Sequence, residues 1–271
     1  MATRIPSVVF LWVALLATLI AACDSTSAPS HGADQSSQPS SAASLLPSTQ
    51  PSEMAGASAA ASNRPAASGP IDPASFTSAI DNRWLPIARG TKWTYQGTKD
   101  GKRAVETFIV TRTTKVIDRV ECVVTEDAVS LDGVPAETII GCYAQDRDGN
   151  VWYFGEENQE LDAGGRVVST SGSWRAGVDH APPALVMEGT PVVGHSFAHD
   201  YTKNDFAVVS LAEKVTVPYG TFDTALVTKE WSPDEPDIET HKFYVSGLGV
   251  VRDVAVSGPT EEFVLIRVEH Q

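Results

Sequence analysis

The stretch Arg119–Gln145, RVECVVTEDAVSLDGVPAETIIGCYAQ, decides the fold class of this chain. Two runs rich in Val, Ile and Thr flank the pair Asp132-Gly133, which is a strong turn signal between paired strands. Similar runs, broken by Gly, Pro, Asp and Asn, extend from Thr91 towards the end of the chain. Because no segment after Asp81 shows sustained helical periodicity, the sequence predicts an all-β domain.

The β-rich region divides into twelve predicted strands and one short helix. The helix is expected around Pro73 to Ile80, with Asp72 as its N-cap and Pro73 at its first position. The predicted strands are Thr91–Thr98, Ala104–Thr114, Arg119–Val129, Glu137–Gln145, Val151–Gly155, Arg166–Thr170, Ser196–Thr202, Phe206–Val217, Phe222–Glu230, Glu239–Val245, Val250–Val256 and Glu262–Glu269.

The two halves of this region resemble each other. Residues 90–155 and 194–256 align at nearly constant spacing; Glu137-Thr138, for example, matches Glu239-Thr240, and Tyr143 matches Tyr244. Two similar units of about five strands would give a strongly twisted antiparallel sheet or an open β-barrel, whose concave face is the obvious place for a ligand. The alternative is chance similarity between strands of like composition.

The first 23 residues have the pattern of a bacterial lipoprotein signal peptide. Arg4 precedes an apolar run, and small residues lead directly to Cys23. The run is too short to cross roughly 30 Å of hydrocarbon, and an ordinary cleaved signal peptide does not require a cysteine there. We therefore predict a signal peptide over residues 1–22 and lipidation of Cys23, including a palmitate-type acyl chain.

Residues 23–70 form the predicted tether. They consist mostly of Ser, Ala, Pro, Gln, Thr and Gly, a composition that cannot bury enough apolar surface to offset ordering entropy. A flexible chain of this length spans on the order of 40 Å. Residues 71–271 remain as a single antiparallel β domain.

The charge of the chain disfavours nucleic acid as a partner. It carries 34 acidic and 20 basic residues, a net charge of −14, and the signal peptide contains only Arg4. An acidic domain is repelled by nucleic acid and by anionic surfaces. The membrane is therefore expected as a partner only through the lipid anchor.

Cys122 and Cys142 are the cysteines left after Cys23. In an exported protein, two cysteines favour a disulfide, and these two would face each other if the hairpin turned at Asp132. The alternative is a pair of buried free thiols.

Signals of catalysis or metal binding are weak. C-x-x-C, H-E-x-x-H, G-x-S-x-G and phosphate-binding glycine loops are missing from the sequence, so no catalytic residue, cofactor or metal ligand is predicted. The acidic segment Asp146–Asn150 fits a tight hairpin better than a calcium loop. His180 and His199 are the side chains that a hydrolase would have to use, with nearby carboxylates. Trp152, Tyr153 and Trp174 are weak candidates for ligand contact, since aromatic side chains serve both cores and binding surfaces.

Several turn and strand motifs resemble a known group. They are Asp81–Pro86, Gly90–Tyr95, Tyr143–Asp146, Gly149–Glu156, Val215–Phe222, Tyr244 and Gly247–Val251. Together, over about residues 76–256, they resemble uncharacterised bacterial cell-envelope proteins, many of them lipoproteins, related to the TapB-like domain. The resemblance implies a twisted sheet or half-barrel and says little about chemistry.

The signal-peptide pattern, the tether and the predicted β domain together indicate where the protein is located and what it does. The chain is expected to be a membrane-anchored, extracytoplasmic lipoprotein whose domain is not an enzyme and binds a small ligand or an envelope protein. The alternative is a hydrolase acting on envelope polymer.

Overall fold

The computed structural model describes residues 71–199 and 204–270, which form an all-β architecture. Within these residues, fifteen strands belong to one hydrogen-bonded sheet. The strands are β1 (Phe76–Thr77), β2 (Thr91–Lys99), β3 (Lys102–Ile117), β4 (Val120–Leu131), β5 (Val134–Asp146), β6 (Val151–Leu161), β7 (Val167–Ser169), β8 (Trp174–Arg175), β9 (Ala184–Met187), β10 (Ser196–His199), β11 (Asn204–Val217), β12 (Gly220–Ser232), β13 (Glu235–Val245), β14 (Gly249–Ser257) and β15 (Glu261–His270).

The main path of the sheet consists of two antiparallel meanders joined side by side. Its order is β10-β11-β12-β13-β14-β15-β2-β3-β4-β5-β6-β7, while β1 pairs with β5 and both β8 and β9 pair with β6. All twelve predicted strands are present, and the three that sequence reasoning missed, β1, β8 and β9, have two to four residues each. The prediction of an all-β antiparallel sheet is confirmed.

The meanders meet where β15 pairs with β2, and Gly97 makes this pairing possible. Phe263 lies opposite Gly97 in the register. A Cβ atom at Gly97 would lie 1.7 Å from the carbonyl oxygen of Glu262, so no larger residue fits without displacing the backbone of β15. The glycine therefore allows the two halves of the sheet to approach closely.

The sheet is open at the ends of its hydrogen-bonded path and strongly curled. The hydroxyl of Tyr95 on β2 donates to the carbonyl oxygen of Val250 on β14 over 3.0 Å, although β15 lies between these strands. In a flat sheet, six strand spacings or about 29 Å would separate β5 from β13. Tyr244 on β13 nevertheless contributes to the raised pKa of Tyr143 on β5, so the two halves face each other across an interior.

The predicted N-terminal helix is much shorter than expected. Pro73–Ser75 form a single 3₁₀ turn, capped by Asp72, whose carboxylate accepts from the amide of Ala74. The chain then becomes extended, because Phe76 and Thr77 pair with Asp146 and Gln145 on β5. The cap and the proline were predicted correctly, but strand pairing replaces the rest of the helix.

The hairpin between β4 and β5 is confirmed, with a different register from the one predicted. Asp132 and Gly133 have φ values of 52° and 83° and form a two-residue turn. A register shift between Val129 and Ser130 moves the pairing by one further residue, so Cys142 lies opposite Val124 and not opposite Cys122. Both thiols are free and buried in this structure, where the expected disulfide is absent. The prediction assumed an odd-length loop centred on Asp132 and no register shift, and each assumption displaced the pairing by one residue.

Candidate functional site

A belt of charged and phenolic side chains lies on the concave face of the sheet. Strand alternation and register place all its members on one face, across strands β2–β6 and β12–β15. Nine of the ten residues are no more than 9% exposed, so the curled sheet has enclosed them. This interior belt consists of Tyr95, Lys99, Glu106, Asp127, Glu137, Glu156, Glu230, Lys242, Asp253 and Glu261.

Lys242 is the most deeply buried charge of the interior belt. It is 1% exposed, and its Nζ lies 2.7 Å from Oε2 of Glu230 and 3.8 Å from Oδ2 of Asp253. Burial alone would lower the pKa of this lysine, but the two carboxylates raise the pKa above its usual value. The three groups therefore form a buried ionic triad on neighbouring strands β12, β13 and β14.

Lys99 is the second cation of the interior belt. Its Nζ lies 3.7 Å from Oε2 of Glu137, and both side chains are buried. Lys99 also lies directly opposite Glu261 in the β2–β15 ladder and lowers the pKa of that carboxyl, although burial still raises it to about 8. The interior belt thus contains two lysines and seven carboxyl groups.

Glu106 and Asp127 form a carboxyl pair on the adjacent strands β3 and β4. Burial, followed by the charge of Asp127, raises the pKa of Glu106 well above its ordinary value, and burial followed by Glu137 does the same for the pKa of Asp127. The register places Asp127 opposite Phe108, two residues from Glu106 on the same face of the sheet. Since both carboxyls are buried next to each other and both pKa values are raised, the folded state favours a proton on this pair.

Glu156 extends the interior belt onto β6. Burial raises its pKa to about 8, even though the hydroxyl of Tyr153 donates to it over 2.8 Å. Tyr153 also lies against Tyr143, with ring centroids 4.4 Å apart, and Gly141 leaves the space because a Cβ there would contact both rings at 3.1 Å. A glycine on β5 thus permits a buried tyrosine pair beside an acidic group.

Several acceptor atoms of the interior belt have no hydrogen-bond donor among the described residues. They are Oε1 of Glu106, Oδ1 of Asp127, Oδ1 of Asp253 and Oε2 of Glu261. A buried ionised carboxylate without a partner costs several kcal/mol, so these groups take up protons or bind a donor. The arrangement is acidic, rich in acceptors and poor in donors.

The three aromatic residues predicted from the sequence have different positions. Tyr153 and Trp174 come together, with ring centroids 5.7 Å apart and nearly perpendicular planes. Trp152 instead packs against Phe76, and its indole nitrogen donates to Asp146 over 2.8 Å, beside the tight Asp146–Asn150 turn that the sequence predicted. Trp152 therefore supports this turn, whereas Tyr153 contacts the interior belt.

A second feature is a groove beside β6 and β8. It has a volume of about 260 Å³ and is lined by residues that include Lys115, Ile117, Cys142, Gly155, Glu156 and Trp174. Gly155 allows β8 to cross here, because a Cβ would lie 2.5 Å from the carbonyl oxygen of Trp174. Burial raises the pKa of the Cys142 thiol to about 11, so the thiol at the floor of this groove is protonated and unreactive at neutral pH.

The histidines do not assemble into a catalytic or metal site within the described residues. His180 lies in an exposed turn, and His195 lies 3.5 Å from Glu188. The side chain of His199, like residues 1–70 with Cys23 and the predicted tether, lies outside the described residues. No group of three or more metal-ligating side chains is close enough to hold an ion over 71–199 and 204–270. In the same residues, no helix is long and apolar enough to span a membrane.

Comparison with known proteins gives two distant structural likenesses. No family model and no curated protein matches the chain, so membership of the TapB-like group stays a prediction. A Bacteroides fragilis structure described as a "putative exported protein with YmcC-like fold" is 16% identical with a TM-score of 0.39, over 69% of this chain and 99% of that one. A "putative lipoprotein" from Parabacteroides distasonis is 14% identical with a TM-score of 0.38, over 70% and 100% of the two chains. At this similarity, neither structure informs the chemistry of the interior belt.

Proposed function

We propose that this chain is a lipid-anchored, non-enzymatic binding protein of the bacterial cell envelope. In this proposal, Cys23 holds it at the extracytoplasmic face of the membrane, the tether of residues 23–70 gives it reach, and the concave face of the sheet takes a ligand. The observation that carries the binding part is the interior belt of seven carboxyl groups and two lysines, buried where an apolar core would stabilise the fold better.

The polarity of the concave face supports binding because it has no evident benefit for stability. Replacing buried charges by apolar residues of similar size is often neutral or stabilising, so a fold gains little from retaining them. Local departures from an optimal core are expected at functional sites. Unpartnered oxygens of Glu106, Asp127 and Asp253 would accept hydrogen bonds from a ligand that carries donors.

A hydrolase is the alternative, and it has less support. Its candidate histidines were His180 or His199, and His180 lies exposed in a turn. The raised pKa of Glu156, about 8, would suit a general acid, but the carboxyl already accepts a hydrogen bond from Tyr153 inside the sheet. We therefore favour binding over catalysis.

Replacing Cys23 with serine should release the protein from the membrane, because serine cannot receive the thioether-linked lipid. The wild-type chain should fractionate with membranes and carry acyl mass on its N-terminal peptide, while Cys23→Ser should be soluble and without that mass. Ser25→Ala is the matched control and should remain anchored. A Cys23→Ser chain that stays membrane-bound after cleavage of its leader would refute the anchor.

Ligand binding can be tested on the full chain extracted from membranes in mild detergent. Native mass spectrometry should find a non-covalent adduct beyond the lipidated mass, or thermal unfolding should shift with at least one of four probes: phosphatidylglycerol, an N-acetylglucosamine oligomer, Ca²⁺ or spermidine. The same shift should disappear in Glu106→Leu/Asp127→Leu, whereas the surface variant Asp162→Asn should keep it. A chain with neither adduct nor shift would count against a small-ligand function.

A further inference from the structure

We propose that the interior belt is a proton-operated lock, in which protons held between Glu106, Asp127 and their neighbours keep the two halves of the curled sheet together, and their loss opens the concave face. This inference goes beyond ligand binding, since it concerns the opening of the fold itself. The lock can be absent from a chain that still binds a ligand, and it can be present in a chain that binds none.

The position of the carboxyl pair supports a lock. Glu106 on β3 and Asp127 on β4 belong to one meander, whereas Asp253 on β14 and Glu261 on β15 belong to the other. Glu106 lies opposite Tyr95 on β2, Glu261 lies opposite Lys99 on β2, and Asp253 lies opposite Phe263 on β15, so acidic groups of both meanders flank the β2–β15 junction on the concave face. When these groups are ionised, their mutual repulsion destabilises this junction.

The neighbours of the pair do not supply enough positive charge to hold ionised carboxylates. Lys242 is engaged with Glu230 and Asp253, and Lys99 lies between Glu137 and Glu261. The titratable and charged groups that interact with the pair from the surrounding strands are Tyr95 and Lys99 on β2, Glu137 and Tyr143 on β5, Glu156 on β6, Asp253 on β14 and Glu261 on β15. Lys242 and Glu230 lie beyond Asp253, which Lys242 approaches at 3.8 Å. The negative charge of the remaining acidic groups is therefore neutralised by protons.

The sign of the pH dependence follows from the direction of the shifts. Burial raises the folded-state pKa of Glu156 and Glu261 to about 8 and that of Asp253 to about 7, while an unfolded Asp or Glu titrates near 4. Between these values the folded state holds more protons than the unfolded state. The protein should thus be most stable below about pH 4 with respect to these groups, lose stability as the pH rises to about 8, and change little above that.

The test compares denaturant unfolding and hydrogen-exchange protection of the full chain in detergent at pH 5.5, 7 and 8.5. For wild type, the unfolding equilibrium constant should rise by up to about tenfold per pH unit for each proton released, and protection factors of β3 and β14 should fall together. Glu106→Gln/Asp127→Asn, which imitates the protonated pair, should weaken both trends. Asp223→Asn/Asp237→Asn, at two exposed acids, should leave them unchanged.

Two results would overturn the lock. One is wild-type stability that stays level or increases between pH 5.5 and 8.5. The other is a Glu106→Gln/Asp127→Asn protein whose pH profile matches that of wild type. If the double variant does not fold, the single variant Glu106→Gln and the wild-type profile still decide the question.

Discussion

Replacing Lys242 with methionine should lower the free energy of unfolding by about 3–5 kcal/mol. Lys242 is 1% exposed and is the cation that Glu230 contacts at 2.7 Å and Asp253 approaches at 3.8 Å. Methionine fills the space of the lysine stem but leaves both carboxyls buried without their positive partner. Denaturant unfolding at pH 7.5 measures the loss, and part of it should be recovered at pH 5, where Asp253, whose pKa burial raises to about 7, can accept a proton.

Lys214→Met is the matched control for this prediction. Lys214 also pairs with a carboxylate, Asp223, at 2.9 Å, but the two side chains are 66% and 85% exposed. Exposed ion pairs contribute at most about 1 kcal/mol, so this variant should be nearly neutral. Equal losses in the two variants would show that Lys242 stabilises the fold through its stem and not through its charge.

The strands could be predicted because their signals are local. Each hairpin has alternating burial and a recognisable turn, as at Asp132-Gly133, and all twelve predicted strands are present. Register was harder: one residue in the length of that turn and one more at the register shift between Val129 and Ser130 moved the partner of Cys142 from Cys122 to Val124. The short strands β8 and β9 depend on pairing with β6 and have too few residues to give a pattern of their own.

The interior belt was missed although the sequence contains a sign of it. In Ala104, Glu106, Phe108 and Val110, every second residue is buried, so Glu106 occupies an inward position among apolar neighbours. Asp127, between the buried Thr125 and Val129, shows the same pattern. In the sequence, a single acidic residue at an inward-facing position of a strand looks like a local exception to the alternating pattern. Polar residues from nine strands come together in the interior belt because the sheet is curled. This curl depends on long-range pairing, such as that of β15 with β2.

The candidate aromatic residues show a similar limit. Trp152 and Tyr153 are neighbours on β6 and point to opposite faces, but the sequence could not distinguish the side that packs against Phe76 from the side that meets the interior belt. Tyr153 came to lie beside Trp174 only through the pairing of β6 with β8. Contacts between distant segments decided which residue is structural.

The central claim is that the interior belt is retained against the stability of the fold. The most direct measurement is the free energy of unfolding, at pH 8, of the full chain carrying Glu106→Met and Asp127→Leu, which replace the acidic pair with apolar side chains of similar shape. The account predicts a gain of about 1–4 kcal/mol over wild type, a smaller gain at pH 5.5, and loss of any bound ligand. A variant less stable than wild type at pH 8 that keeps its ligand would contradict the claim, because the pair would then be a structural element of the core.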